Sequence, residues 1–126
     1  MALGAPTAFG AKLSDAALIA PLGMKAPALL HALNHADGPG RIAVWLEVGD
    51  ALLAAGRWDR AILAWERGLA QAETSSATRG QASSFYWRLG QTAEGTGALP
   101  DALRWYDLAA ESFRRDQAPA DEAVAR

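Results

Sequence analysis

Residues 45–69 read WLEVGDALLAAGRWDRAILAWERGL, and residues 86–110 read YWRLGQTAEGTGALPDALRWYDLAA. Trp45, Val48, Gly49, Leu52, Gly56, Trp58, Ala61, Trp65, Gly68 and Leu69 recur as Tyr86, Leu89, Gly90, Ala93, Gly97, Leu99, Ala102, Tyr106, Ala109 and Ala110 with every spacing kept. Self-similarity at a fixed period of this length is the mark of a helical repeat array, in which each unit buries its apolar face against neighbours. Such an array is most often a binding surface.

The spacings carry physical meaning. Apolar residues three and four apart in the first part of each copy share one face of a helix. Gly49 and Gly90 lie inside that face, where glycine costs roughly 1 kcal/mol relative to alanine, so they predict close approach of a second helix. Gly56 and Gly97 follow the periodic run and suit the left-handed residue that ends a helix. Asp59 and the pair Pro100-Asp101 then open a second helix, with acidic groups at the positive end of its dipole. Ala61, Gly68, Ala102 and Ala109 give that helix a small-residue stripe, and Trp65 and Tyr106 are expected to fill the space between hairpins.

The pattern resembles the tetratricopeptide repeat family. Its W-x2-L-G-x2-Y and A-x3-F signatures are matched by Trp45-x2-Val48-Gly49-x2-Leu52 with Ala61-x3-Trp65, and by Tyr86-x2-Leu89-Gly90-x2-Ala93 with Ala102-x3-Tyr106. The resemblance covers residues 41–116 and implies an all-α fold of antiparallel helical hairpins stacked as a short right-handed solenoid. The family period is about 34 residues, so the longer one in this chain carries about seven more. They are expected as extra helical turns over Ala77 to Ser83, after a turn at Thr74-Ser75-Ser76. The chain divides accordingly into a lead-in and degenerate hairpin (1–40), two repeats (41–76 and 77–116), and the start of a further or capping helix (117–126).

Within the first division, residues 1–13 read as a loose lead-in. Ser14-Asp15 signals a short helix ending before Pro21, and Pro27 starts another that runs to about His35 and stops at Asp37-Gly38-Pro39-Gly40. At the other end Ala118, Glu122 and Ala123 repeat Ala77, Gln81 and Ala82 at the same offset, which predicts the start of a third unit that shields Trp105 or Phe113.

Composition narrows the function. Over 126 residues, 51% hydrophobic and 21% charged residues describe a globular domain. A formal net charge of −2 leaves no electrostatic footprint for a phosphate backbone, so nucleic acid is not an expected partner. Without cysteine there is neither disulfide nor thiol chemistry. No signal peptide and no membrane-spanning stretch are read, which predicts a soluble cytoplasmic protein.

Catalytic motifs are lacking: there is no G-x-S-x-G, no S-x-x-K and no Walker loop. His31 and His35 share a helix face, and Asp37 or Glu47 would have to complete a metal site. The expectation is two ordinary histidines, no metal, no cofactor and no enzyme activity. Instead the family resemblance implies a concave groove for a protein or peptide, lined by Leu46, Asp50, Leu53, Trp87, Arg88, Gln91 and Glu94. Trp87 stands out because its neighbour Tyr86 belongs in the core, and adjacent residues on a helix do not share a direction. The resemblance also implies that Trp58, at the turn, is buried, since the family commonly places a large ring there. Leu46 and Asp50 occupy places where the family's carboxylate clamp has lysine and asparagine, so a chaperone tail is not the expected ligand. The alternatives are a structural unit that self-associates through its terminal helices, or a fragment of a larger repeat-containing signalling protein.

Overall fold

A computed structural model describes residues 13–125, with side chains through residue 116. The described chain is all-helical: α1 (Asp15–Ile19), a 3-10 turn (Ala20–Lys25), α2 (Ala26–His35), α3 (Gly38–Ala54), α4 (Trp58–Ala72), a second 3-10 turn (Arg79–Gln81), α5 (Ala82–Gly95) and α6 (Leu99–Ala125). Helix α3 packs along α4 and α5 along α6, giving two hairpins, and α5 also packs on α4.

Both hairpins turn the same way. Gly56 and Gly97 have φ of 78° and 84°, the region only glycine enters at no steric cost. In the first turn the amide of Arg57 donates to Leu52 O at 2.8 Å and that of Gly56 to Leu53 O at 2.9 Å; in the second, Ala98 donates to Ala93 O at 2.8 Å and Gly97 to Glu94 O at 3.1 Å. This paired bonding satisfies carbonyls that the helix end leaves open. It recurs with the same period as the sequence.

Glycines also set how closely the helices approach. A Cβ built on Gly49 would fall 2.1 Å from Trp65 Nε1, one on Gly90 2.8 Å from Tyr106 Cδ1, and one on Gly68 2.5 Å from the Phe85 ring. The first two contacts lie inside the hairpins and the third joins one hairpin to the other. Around them Ile42, Val48, Leu52, Trp65 and Phe85 are almost wholly buried. Tyr86, also buried, donates its hydroxyl to the Glu73 carboxylate, and burial followed by that bond pushes its pKa above the ordinary phenol range.

The amino-terminal helices fasten onto the first hairpin. Ser14 caps α1 by accepting from the Ala17 amide at 3.0 Å. Leu18, Ile19 and Leu33 are fully buried. Arg60 donates to Ala17 O at 2.9 Å, and Arg67 donates to Asp15 Oδ1 at 2.6 Å and to Leu13 O while lying over the Trp45 ring.

Three expectations are corrected here. Of residues 77–83 only Ala82 and Ser83 belong to an α-helix: Thr78 Oγ1 donates to Ala72 O at 2.9 Å, which fastens the connection to the end of α4, and α5 starts at Ala82 after the 3-10 turn. At the carboxyl end no new helix starts at 117, because α6 runs unbroken to Ala125; the side chains of 117–126, and the lead-in 1–12, lie outside the described residues. Asp15–His35 does contain a window apolar enough to cross a membrane, with mean hydropathy 1.4. Gly23, at φ 61° and ψ −117°, divides it into two short helices.

Candidate functional site

Helices α3 and α5 face each other across a cleft of about 650 Å³, floored by α4. Asp50 and Leu53 come from α3, Trp58 and Trp65 from α4, and Trp87, Arg88, Gln91, Thr92, Gly95 and Thr96 from α5 and its end. Five of the seven residues expected in the groove are therefore brought together: Asp50, Leu53, Trp87, Arg88 and Gln91. The other two are not. Leu46 is partly buried against the core, and Glu94 accepts the Tyr106 hydroxyl at 2.7 Å, a bond that holds the tyrosine pKa above its usual value.

Trp87 is 47% exposed. One side of the ring rests on Tyr106, with centroids 5.0 Å apart at 53°, within the range of favourable aromatic pairs. The other expectation for an indole was burial of Trp58 at the turn, and it is overturned: Trp58 is 52% exposed. It occupies the first position of α4, at the cleft's rim, and its equivalent Leu99 is 58% exposed at the start of α6. Trp65 is buried beneath, with its indole N–H lacking a hydrogen-bond partner among the described residues.

Arg88 and Asp50 are not independent charges. The guanidinium bridges the gap between α5 and α3, with Nε 2.6 Å from Asp50 Oδ1 and Nη2 3.0 Å from Oδ2, the two-pronged geometry that favours arginine for carboxylates. Sequence reading missed this pairing. The two residues are far apart in the chain, and the repeat makes Asp50 equivalent to Gln91, which gives no sign that Arg88 faces it. The pair makes the charged part of the lining neutral. What remains is aromatic and aliphatic surface with the amide and hydroxyls of Gln91, Thr92 and Thr96.

Elsewhere the chemistry is sparse. The rings of His31 and His35 stack at 4.0 Å with His35 Nδ1 2.8 Å from His31 O, and no group of three metal-ligating side chains gathers among the described residues. Trp105 stacks on Tyr86 with centroids 6.1 Å apart and borders a smaller recess with Ile62, Glu66 and Leu89, so its cover comes from within the hairpins. Burial of Glu66 there raises its pKa. Comparison with protein-family models, curated proteins and solved structures found no match.

Proposed function

We propose that this chain is a non-catalytic interaction module whose two hairpins are tetratricopeptide-like repeats, stacked as a short right-handed solenoid, and that it holds a protein or peptide segment in the cleft between α3 and α5 as a cytoplasmic adaptor or scaffold. The observation that supports this best is the cleft lining: half-exposed Trp58 and Trp87 stand at its edge, and the charges of Asp50 and Arg88 neutralise each other. Tryptophan is the residue type most enriched at interface hot spots. A lining of this kind selects an uncharged segment, one aromatic or branched aliphatic side chain seated among the indoles and its backbone amides facing Gln91, Thr92 and Thr96.

The test is selection of short peptides from a displayed random library, followed by titration of the winners. Three of the five tryptophans line the cleft, so occupancy registers as a shift in indole emission. Selected peptides are expected to share an apolar anchor and to lose binding when Trp87 is removed. Winners that bind equally well without Trp87 would sink this reading. A second reading, self-assembly, is favoured by a different surface on α6.

A further inference from the structure

The internal repeat makes the outer face of α6 interpretable, because the first hairpin shows what the same face looks like when covered. On α4 the face is formed by Trp58, Ile62, Trp65, Leu69 and Ala72, and α5 packs on that helix; Trp65, Leu69 and Ala72 are 1%, 7% and 0% exposed. One period on, the face is Leu99, Leu103, Tyr106, Ala110 and Phe113. Here Leu103 and Phe113 are 65% and 51% exposed, while Leu99, at 58%, is open in the same way as its counterpart Trp58 at 52%.

Two features of the described residues set this face apart from its covered counterpart. Helix α4 ends at Ala72 and the connection folds back over that end through Thr78, whereas α6 continues past the equivalent Phe113 to Ala125. Phe113 also puts a large, half-exposed ring at the position equivalent to Ala72, which is fully buried. Among the described residues, Leu103 and Phe113 have no cover of the kind that α5 and the connection give α4.

We infer that the occupant is a second copy of this protein, joined through an antiparallel, two-fold pairing of α6 with α6. The strip follows alternate spacings of four and three, the seam of paired helices. It is self-complementary about a two-fold axis at residue 108: that register sets Leu103 against Phe113 of the other copy, and the large Tyr106 against the small Ala110. An isologous interface needs such matching of a patch to itself. The strip shares no lining residue with the cleft and meets it only where Trp87 rests on Tyr106, so changes at Leu103 and Phe113 test this inference separately from peptide binding.

Analytical ultracentrifugation of the full chain across concentrations tests it. The parent is expected to dimerise, and Leu103→Glu, at an exposed site, to weaken the dimer at least about thirtyfold while keeping the parent's helix content and melting temperature. Phe113→Glu should do the same, so that misfolding of one variant leaves the other to decide. The chain has no cysteine, so Asp107→Cys, exposed beside the axis, should join two copies through a short bismaleimide. Leu99→Cys should not, since antiparallel pairing separates the two equivalent sites by about 27 Å. A parent that stays monomeric up to about 1 mM, a dimer indifferent to both glutamates, or joining at Leu99→Cys in place of Asp107→Cys would overturn the inference.

Discussion

Gly49 lies so close beneath the Trp65 indole that any side chain there would overlap it, the nearest ring atom standing 2.1 Å from where Cβ would be. Gly90 stands under Tyr106 in the same relation at 2.8 Å, and both members of the pair are displaced by one period. The repeat is thus a repeat of contacts as well as of letters. The two copies differ in how freely the ring can move: Trp65 is 1% exposed and enclosed, while Tyr106 is half-buried and meets Trp87 and Glu94 on its outer side.

That difference predicts unequal costs for the same substitution. Gly49→Ala should destabilise the protein by about 1–3 kcal/mol or more, because the ring has nowhere to go. Gly90→Ala should be much milder, since Tyr106 can swing outward and alanine regains up to roughly 1 kcal/mol of helix propensity. Urea denaturation of the two variants measures both. Equal losses would mean that the second hairpin is packed as tightly as the first.

Features governed by local backbone chemistry were legible in the sequence, and those governed by what lies across a gap were not. Gly56 and Gly97 announce positive φ by following a helix, and the Ser14 hydroxyl caps α1 through an amide on the next turn. The glycines at 49 and 90 could be read because each opposes a large ring at a repeated spacing. By contrast, burial of Trp58 depends on whether anything packs beyond the turn, and nothing in the neighbouring residues records that the rim is open. The ion pair of Arg88 with Asp50 is likewise a property of two helices meeting. The family resemblance placed both in one groove, but did not pair them with each other. The additional residues of the long period fit helical turns by count alone; the Thr78 bond to Ala72 O shows that a side chain replaced a helical turn with a fastened loop.

Removing the acid of that ion pair should change which ligands the cleft accepts. Asp50→Asn frees the Arg88 guanidinium, so peptides carrying a carboxylate beside the apolar anchor should gain affinity, and the gain should shrink as salt rises. The parent should show no such preference. Stability should fall by no more than about 1 kcal/mol, the range for partly exposed pairs. Peptide titrations at low and high salt decide it, and a parent already selective for acidic peptides would contradict the neutral lining.

Glu66 supplies a prediction in pH. Burial raises its pKa above the ordinary 4.5, so the folded protein binds the proton more tightly than the unfolded chain does. Stability is therefore lost as pH climbs from the unfolded pKa through the raised one, and the full loss is present above both. Glu66→Gln should be more stable than the parent at pH 7, and the advantage should vanish below about pH 4, where the carboxyl is protonated in the folded and unfolded chain alike. Denaturation at the two pH values measures it; an advantage that persists in acid would point to packing in place of ionisation.

Trp87 separates binding from folding. Its ring is half-exposed and rests on Tyr106 alone among the aromatic groups described, so Trp87→Ala should cost stability only about 0.5–1.5 kcal/mol beyond the small area it buries. Binding should suffer more. A ligand that covers the exposed side of the indole loses that contact entirely, about 2 kcal/mol or more, which is roughly thirtyfold in affinity. Trp58→Ala should follow the same pattern with a smaller stability cost, because the ring stands at the first position of α4. Calorimetric titration with selected peptides and thermal melts of both variants provide the comparison. Unfolding of Trp87→Ala at ordinary temperature would make the ring a structural residue, and unchanged affinity in the double variant would remove the cleft from the mechanism.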